Sequence, residues 1–306
     1  MQKLNIVFMG TPEYATTILK KLMYHDRINV VALFTQQDKP VGRKQIITPP
    51  STKNFLLKEK FDIPIYQPKN LKEKKTSDLI SSLKPDFIVV AAYGQVLPKS
   101  ILNIAPCINL HASILPKYRG ASPIQDAIKN SDIFSGVTAM LMEEGLDTGD
   151  ILGISYINIE NMNAPTLFEK LSGLASDLTV DVLLNFKRIK PLKQNNLLAS
   201  FCKKIKREDG LVEFDDAKKL YAKYLAYFYW PQVFLESGLK LKEIDILETE
   251  TTNNPGEILE ITQEKIVVGC KKGSLNIYAL QPASKKQMKA VDYIRGKRLA
   301  VGDTLF

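Results

Sequence analysis

Asn109 and His111, at the end of the apolar run CINLH, are the first chemistry this 306-residue sequence offers. Residues two apart on a strand point to the same face, so one amide and one imidazole would look into one cavity. An amide N–H can donate to an oxygen that gains negative charge. A neutral imidazole can take or release a proton near neutral pH. A third group, Asp147, stands in the acidic loop of GVTAMLMEEGLDTGDI. A carboxylate beside an imidazole orients it and supports its charged form. Together the three suit acyl transfer to an amine. No Ser or Cys is evidently paired with the histidine, which favours direct transfer without a covalent enzyme intermediate.

Taken alone, an Asn-x-His at a strand end is more often turn chemistry and a satisfied histidine. Context changes the weight. The chain has two histidines, His25 and His111, and only His111 stands between an apolar strand and a loop rich in Gly and Pro. No metal is expected, because there is neither a second nearby histidine nor a cysteine cluster. Asp150, close to Asp147, reads as turn chemistry.

These side chains need a scaffold. LNIVFM (Leu4–Met9) reads as a buried strand closed by Gly10, with Thr11 as N-cap and Pro12 as the first residue of a helix. Asn29–Phe34 is a second strand, so strand, helix and strand predict a parallel βαβ unit. Asp86–Ala92 is a continuous apolar run, typical of a central parallel strand. Cys107–Leu110 follows as the next strand. Gly136–Met142 and Ile151–Ile157 form a strand pair around the acidic loop. Pro165–Phe186 repeats Leu167, Leu171, Leu174, Leu178 and Val182 at the spacing of a core-facing helix. The expectation is an α/β fold with a doubly wound, mostly parallel Rossmann-like sheet. Ligands of such sheets bind beyond the carboxyl ends of the strands. Gly10–Ala15, Tyr93-Gly94 and Asn109–His111 should therefore meet on one rim, with Asp147 reaching it from a later loop. The turn after Gly10 lacks the further glycines of a dinucleotide fingerprint, and Glu13 would repel a pyrophosphate. NAD and FAD are not expected.

Gln36–Pro50 reads as a long irregular loop, of a length that is usually functional or disordered. Periodicity fades from Lys187 to Arg207. We divide the chain into a domain over 1–190, a basic linker over 191–207 and a second domain over 208–306. The second domain opens with a helix over Asp215–Phe228. Short strands follow at Gly256–Ile261, Lys265–Cys270 and Ser274–Leu280, which suits a small OB-like β-barrel.

The net charge is +9 and uneven. Residues 1–75 hold 14 basic and 6 acidic side chains, whereas residues 76–202 hold 10 and 12. A basic first quarter suits a polyanion such as RNA, and equally a solubilising lysine surface. Three cysteines far apart, with no C-x-x-C, argue for a reducing compartment. Neither a signal segment nor a membrane-spanning run is legible, so a cytoplasmic protein is expected.

NLHASILPKYRGASPIQ, preceded by AAYGQVLPKSIL and followed by GVTAMLMEEGLDTGDIL, resembles the N10-formyltetrahydrofolate-dependent formyltransferases. MGTPEYA, TQQDKPVGRK, LQPASKKQM and the final GD resemble the branch that acts on initiator methionyl-tRNA. The resemblance implies a formyl donor, N10-formyltetrahydrofolate, near Tyr93, Gly94, Ser113, Ile114, Leu115 and Pro116. It implies that Asn109, His111 and Asp147 carry the transfer. It places Arg43, with Lys39 and Lys44 beside it, at the acceptor end of the tRNA. Lys203, Lys204, Lys206 and Arg207 would hold the tRNA together with the barrel. The continuation QIITPP is less basic than the family's pattern. Trp230-Pro231 resembles it too, with a buried aromatic as the expected role. A monomer is expected. The alternatives are transfer to a small amine, such as a sugar nucleotide or glycinamide ribonucleotide, a folate hydrolase or dehydrogenase module, with water replacing the amine, and an RNA-binding scaffold without catalysis.

Overall fold

The computed structural model describes residues 3–42 and 44–305. The chain divides into two compact units. One takes the chain up to Pro123, with Phe134–Asn158 and Phe168–Cys202. The other takes Ile124–Ile133, Ile159–Leu167 and the chain from Lys203 on.

The elements run β1 (Leu4–Gly10), α1 (Glu13–Met23), β2 (Ile28–Phe34), β3 (Lys39–Val41), β4 (Ile46–Thr48), α2 (Ser51–Lys58), β5 (Ile65–Tyr66), α3 (Lys74–Ser82), β6 (Phe87–Ala91), α4 (Lys99–Leu102), β7 (Cys107–His111) and β8 (Arg119–Gly120). Then come α5 (Pro123–Lys129), β9 (Phe134–Leu141), β10 (Ile151–Asn158), α6 (Ala164–Asn185) and β11 (Phe201–Cys202). Seven strands make one sheet in the order β10-β9-β7-β6-β1-β2-β5. The pairs among β7, β6, β1, β2 and β5 are parallel, while β7–β9 and β9–β10 are antiparallel. This is the mostly parallel, Rossmann-like sheet that the apolar runs predicted. β6, FIVVA, is buried at every position, as a strand covered on both faces must be. β10 alternates from Gly153 on, because it is an edge with one open face.

The chain winds outward through β2 and β5 and then returns to β6 on the other side of β1. The switch point, where such sheets bind ligands, therefore lies between β1 and β6. Gly10 makes the turn there. A Cβ on it would fall 2.5 Å from that of Ala15 and 3.0 Å from the Ala91 carbonyl. Thr11 does not cap α1, contrary to expectation. Pro12 takes the cap position in extended conformation, with no side-chain cap. The Thr11 hydroxyl instead finds a tertiary acceptor, donating to the Tyr93 carbonyl at 3.1 Å.

The segment over Gln36–Pro50 is more ordered than its composition suggested. β3 and β4 pair as an antiparallel hairpin, with Val41 opposite Ile46 and Pro40 opposite Ile47. Its β-branched residues favour extended pairing, and Gly42 and Gln45 supply the positive φ of the turn. Arg43 lies outside the described residues.

Residues 191–202, read as linker from the sequence, belong to the first unit. Leu192 exchanges both backbone hydrogen bonds with Ile151, and β11 pairs in parallel with β8. The segment is held one or two residues at a time, so no periodicity marks it.

In the second unit, α7 (Ala217–Ala226) precedes β12 (Lys240–Glu248), β13 (Ile258–Ile261), β14 (Ile266–Gly269), β15 (Ser274–Gln281), β16 (Met288–Lys289) and α8 (Ala290–Lys297). The strands form a five-stranded antiparallel sheet, β12-β15-β14-β13 with β16 on β15. Ile258, Ile266, Val268, Leu275 and Ile277 build its core with Leu220 and Ile294. α7 is shorter at both ends than the helix read over Asp215–Phe228. The Asp216 carboxylate stops it by accepting from the Lys219 N–H at 3.0 Å, a cap of about 1 kcal/mol. Among the described residues no helix is long and apolar enough to cross a membrane.

Candidate active site

β7 lies between β6 and β9. Asn109 stands opposite Val90 and Met140, and His111 opposite Thr138. The period of two puts both side chains on one face of the sheet. Asn109 is half-buried and His111 buried.

Asp147 arrives by a less direct route than a loop at the carboxyl rim. Because β9 runs against β7, it ends opposite Ile108, and the Met142 N–H donates to the Cys107 carbonyl at 2.8 Å. The loop over 142–150 therefore starts at the far end of β7 and folds back along it. There Asp147 Oδ1 accepts from Asn109 Nδ2 at 3.4 Å. Its Oδ2 accepts from the Gly120 N–H at 2.9 Å and stands 3.7 Å from His111 Nδ1. The fold-back is tight. A Cβ on Gly149 would fall 1.7 Å from the Leu141 carbonyl, and one on Gly145 2.0 Å from Thr148 Oγ1. Asp147 itself has φ +53°, a conformation that costs about 1–3 kcal/mol and persists only where its surroundings impose it.

His111 has a defined tautomer. Its Nε2 lies 2.8 Å from the Tyr118 carbonyl. A carbonyl only accepts, so Nε2 carries the proton. In the neutral ring Nδ1 is then the basic nitrogen, and it faces Asp147. A proton taken up at Nδ1 meets a carboxylate already fixed by a backbone N–H. Among the described residues no group of three or more metal-ligating side chains gathers.

The other sequence-predicted positions differ in what they offer. The Tyr93 ring is in the core with Leu97, Ile101 and Cys107, and burial pushes its phenol up to about 12. Its carbonyl accepts from the Thr11 hydroxyl and from Gln36 Nε2, both at 3.1 Å. Gly94 is exposed with φ +83°, and a Cβ there would meet only Gln36 Nε2, at 3.7 Å. The Ser113 hydroxyl donates to the Lys117 carbonyl at 2.6 Å, which fixes its own turn. The Ser113 carbonyl accepts from Thr138, and the Leu115 N–H donates to the same hydroxyl. Leu115 packs on Met140 and Ile151. Ile114 and Pro116 are half-buried. Lys39 and Lys44 are exposed on the hairpin, and Lys203, Lys204, Lys206 and Arg207 are exposed in the second unit. Trp230 is 55% exposed, not buried as its sequence setting suggested.

Sequence reasoning assigned no role to the Tyr118 carbonyl, the Gly120 N–H, Thr138 or Gln194. Two of these are backbone groups, which carry no residue signature, and Gln194 lies in a stretch without period.

Residues 3–183 match the model of the formyl transferase family, and residues 204–298 match that of the formyl transferase C-terminal domain. The chain belongs to the formyl transferase family. It is 60% identical over 304 residues to a methionyl-tRNA formyltransferase of a Nitratiruptor species, covering 99% of this chain and 100% of that relative. It is 55% identical over 302 residues to a methionyl-tRNA formyltransferase of Campylobacter lari, covering 99% of each chain. Its fold resembles that of WlaRD, a sugar 3N-formyl transferase solved in the presence of dTDP and 5-N-formyl-THF, with a TM-score of 0.66 at 18% identity over 94% of this chain and 100% of that one. A methionyl-tRNA formyltransferase from Clostridium thermocellum gives a TM-score of 0.55 at 20% identity, over 80% of this formyl transferase and 94% of that one.

Proposed function

We propose that this formyl transferase moves a formyl group from N10-formyltetrahydrofolate to the free amino group of initiator methionyl-tRNA. The observation that carries the reading is identity of 52–60% along the whole chain to relatives named methionyl-tRNA formyltransferase. The meeting of amide, imidazole and carboxylate on one sheet face supplies the chemistry. The donor brings an activated one-carbon unit. The amine nitrogen adds to the formyl carbon, the carbon–N10 bond breaks, and N10 leaves with the proton that the amine gave up to His111.

In this reading Asn109 uses one amide N–H on Asp147 and keeps the other for the oxygen that gains charge. His111 Nδ1 takes the proton the amine loses, and Asp147 holds the resulting imidazolium in place. An oxyanion donor of this type is worth about 3–4 kcal/mol. The groups read as folate-binding fit a flat heterocycle. Gly94 is exposed just after β6, where a Cβ would meet only Gln36 Nε2, and Val96 and Leu146 are exposed apolar side chains on the loops that follow β6 and β9.

Lys39 and Lys44 on the hairpin, Arg43 between them in the sequence, and Lys203, Lys204, Lys206 and Arg207 are the proposed tRNA contacts. The charge of the set and the exposure of the hairpin lysines support this, as phosphate neutralisation requires. A cytoplasmic monomer fits a translation enzyme. The test supplies labelled formyl donor with charged initiator tRNA, uncharged tRNA, or a small amine. Label on the charged tRNA alone is expected. Formate release without any acceptor, or transfer to the small amine at an equal rate, overturns the reading.

A further inference from the structure

The fold-back that delivers Asp147 leaves a mechanical question: what stops the loop over 142–150 from relaxing off β7? We propose that Gln194 is a positioning residue that locks Asp147 in register with Asn109 and His111. The inference rests on the site reading given above.

Every hydrogen-bonding group of the Gln194 amide is engaged. Its Nε2 donates to the Asp147 carbonyl and to the Gly149 carbonyl, both at 2.8 Å. Its Oε1 accepts from Arg119 Nε at 3.1 Å and from Arg119 Nη2 at 2.7 Å. Two donors and two acceptor lone pairs are all that an amide has. Arg119 is 3% exposed and spends a further Nη2 bond on Asn196 Oδ1 at 2.9 Å. A buried guanidinium cannot leave such partners without a large desolvation cost, so it holds the Gln194 amide in one orientation.

The contacts close a ring. Arg119 precedes Gly120, whose N–H fixes Asp147 Oδ2. The Asp147 backbone returns through Gln194 to Arg119. The side chain of Asp147 is thus set from one side and its backbone from the other, across a residue in the left-handed region. Gln194 reaches the site because Leu192 is bound to Ile151, at the exit of the same loop.

Gln194→Met removes all four bonds at nearly constant volume. Gln194→Glu keeps an acceptor for Arg119 but has no N–H for the two carbonyls. Displacing a reacting group by about an ångström costs roughly 100-fold. Both variants should therefore lose about 10- to 100-fold in kcat, with KM for the formyl donor changed less than about threefold. If Gln194 merely tied its own segment to Arg119, Gln194→Glu would keep wild-type turnover, which would overturn the proposal. Melting curves establish that each variant is folded; should Gln194→Met fail to fold, the Gln194→Glu comparison decides. A double-mutant cycle isolates the route. In an Asp147→Asn background, Gln194→Met should cost less than about twofold, because nothing is left to position. An equal cost in both backgrounds refutes the positioning role while leaving the site reading intact. Wild-type turnover of Asp147→Asn alone refutes the site reading itself.

Discussion

Gly120 is the point where one added methyl group tests how Asp147 is held. Its φ is +121°, and a Cβ built there would stand 2.2 Å from the Cys202 carbonyl oxygen. Ordinary contact begins at 3.4 Å, so in Gly120→Ala the β8–β11 pair must part by about an ångström. The Gly120 N–H donates to Asp147 Oδ2 at 2.9 Å. A shift of that size takes it beyond hydrogen-bonding distance. The carboxylate loses a charge-assisted bond of about 1.5–3 kcal/mol, and the backbone strain adds about 1–3 kcal/mol. The expected result is a fall of several degrees in melting temperature together with about 100-fold lower turnover. Formyl transfer to charged initiator tRNA gives kcat and KM, and differential scanning fluorimetry gives the melt. Gly238→Ala is the control. Its φ is +80°, and its Cβ meets only the Ala283 Cβ, at an ordinary 3.5 Å. It should lose stability through strain alone and keep its turnover. Wild-type melting and turnover of Gly120→Ala would refute the account of what fixes the carboxylate.

Three further outcomes are expected. Asn109→Ala should lower kcat by about 10²–10³, the range for an oxyanion donor, in single-turnover assays; a loss below tenfold removes Asn109 from that role. At alkaline pH the fold should weaken: burial pushes the Cys107 and Cys270 thiols from 9.0, and the Tyr93 phenol from 10.0, up to about 12. Between about pH 9 and 12 the folded chain then binds more protons than the unfolded one, so stability falls as pH rises. Melting temperatures constant from pH 8 to 11 would contradict this, and Cys107→Ala should flatten part of the decline. Lys204→Ala and Arg207→Ala should each reduce the slope of log affinity against log salt for tRNA by about one. An unchanged slope in filter binding takes that residue out of the interface.

The positions that the sequence made legible are those set by strand periodicity. Asn109 and His111 share a face because residues two apart on any strand do, and the apolar run before them marked the strand. β6 and β1 were equally plain, being buried on both faces. What stayed hidden depends on partners distant in the chain. Thr11 looked like an N-cap, but nothing local reveals that the Tyr93 carbonyl, 82 residues on, takes its hydroxyl. The hairpin over Lys39–Thr48 was obscured by Pro and Gly, and its β-branched residues were the signal available. The resemblance places the formyl donor near Tyr93, and nothing local reveals that its aromatic ring is needed in the core.

Asp147 shows why the site's third member was harder to place than the first two. Asn109 and His111 are fixed by a central strand whose backbone bonds to both neighbours. Asp147 depends on a reversal of direction: only because β9 is antiparallel to β7 does the following loop start at the far end and run back across the sheet face. A parallel strand at that place would have sent the loop over the carboxyl rim, above His111 and away from Asn109. The carboxylate therefore touches both members of the pair, but through a loop with strained φ and two glycines that admit no side chain. Rigidity missing from the loop has to come from outside it, and the Gly120 N–H and the Gln194 amide are the groups in contact. Substitutions at Gly120 and Gln194 should for this reason resemble substitutions of Asp147 in their kinetics, even though neither residue carries an ionisable group.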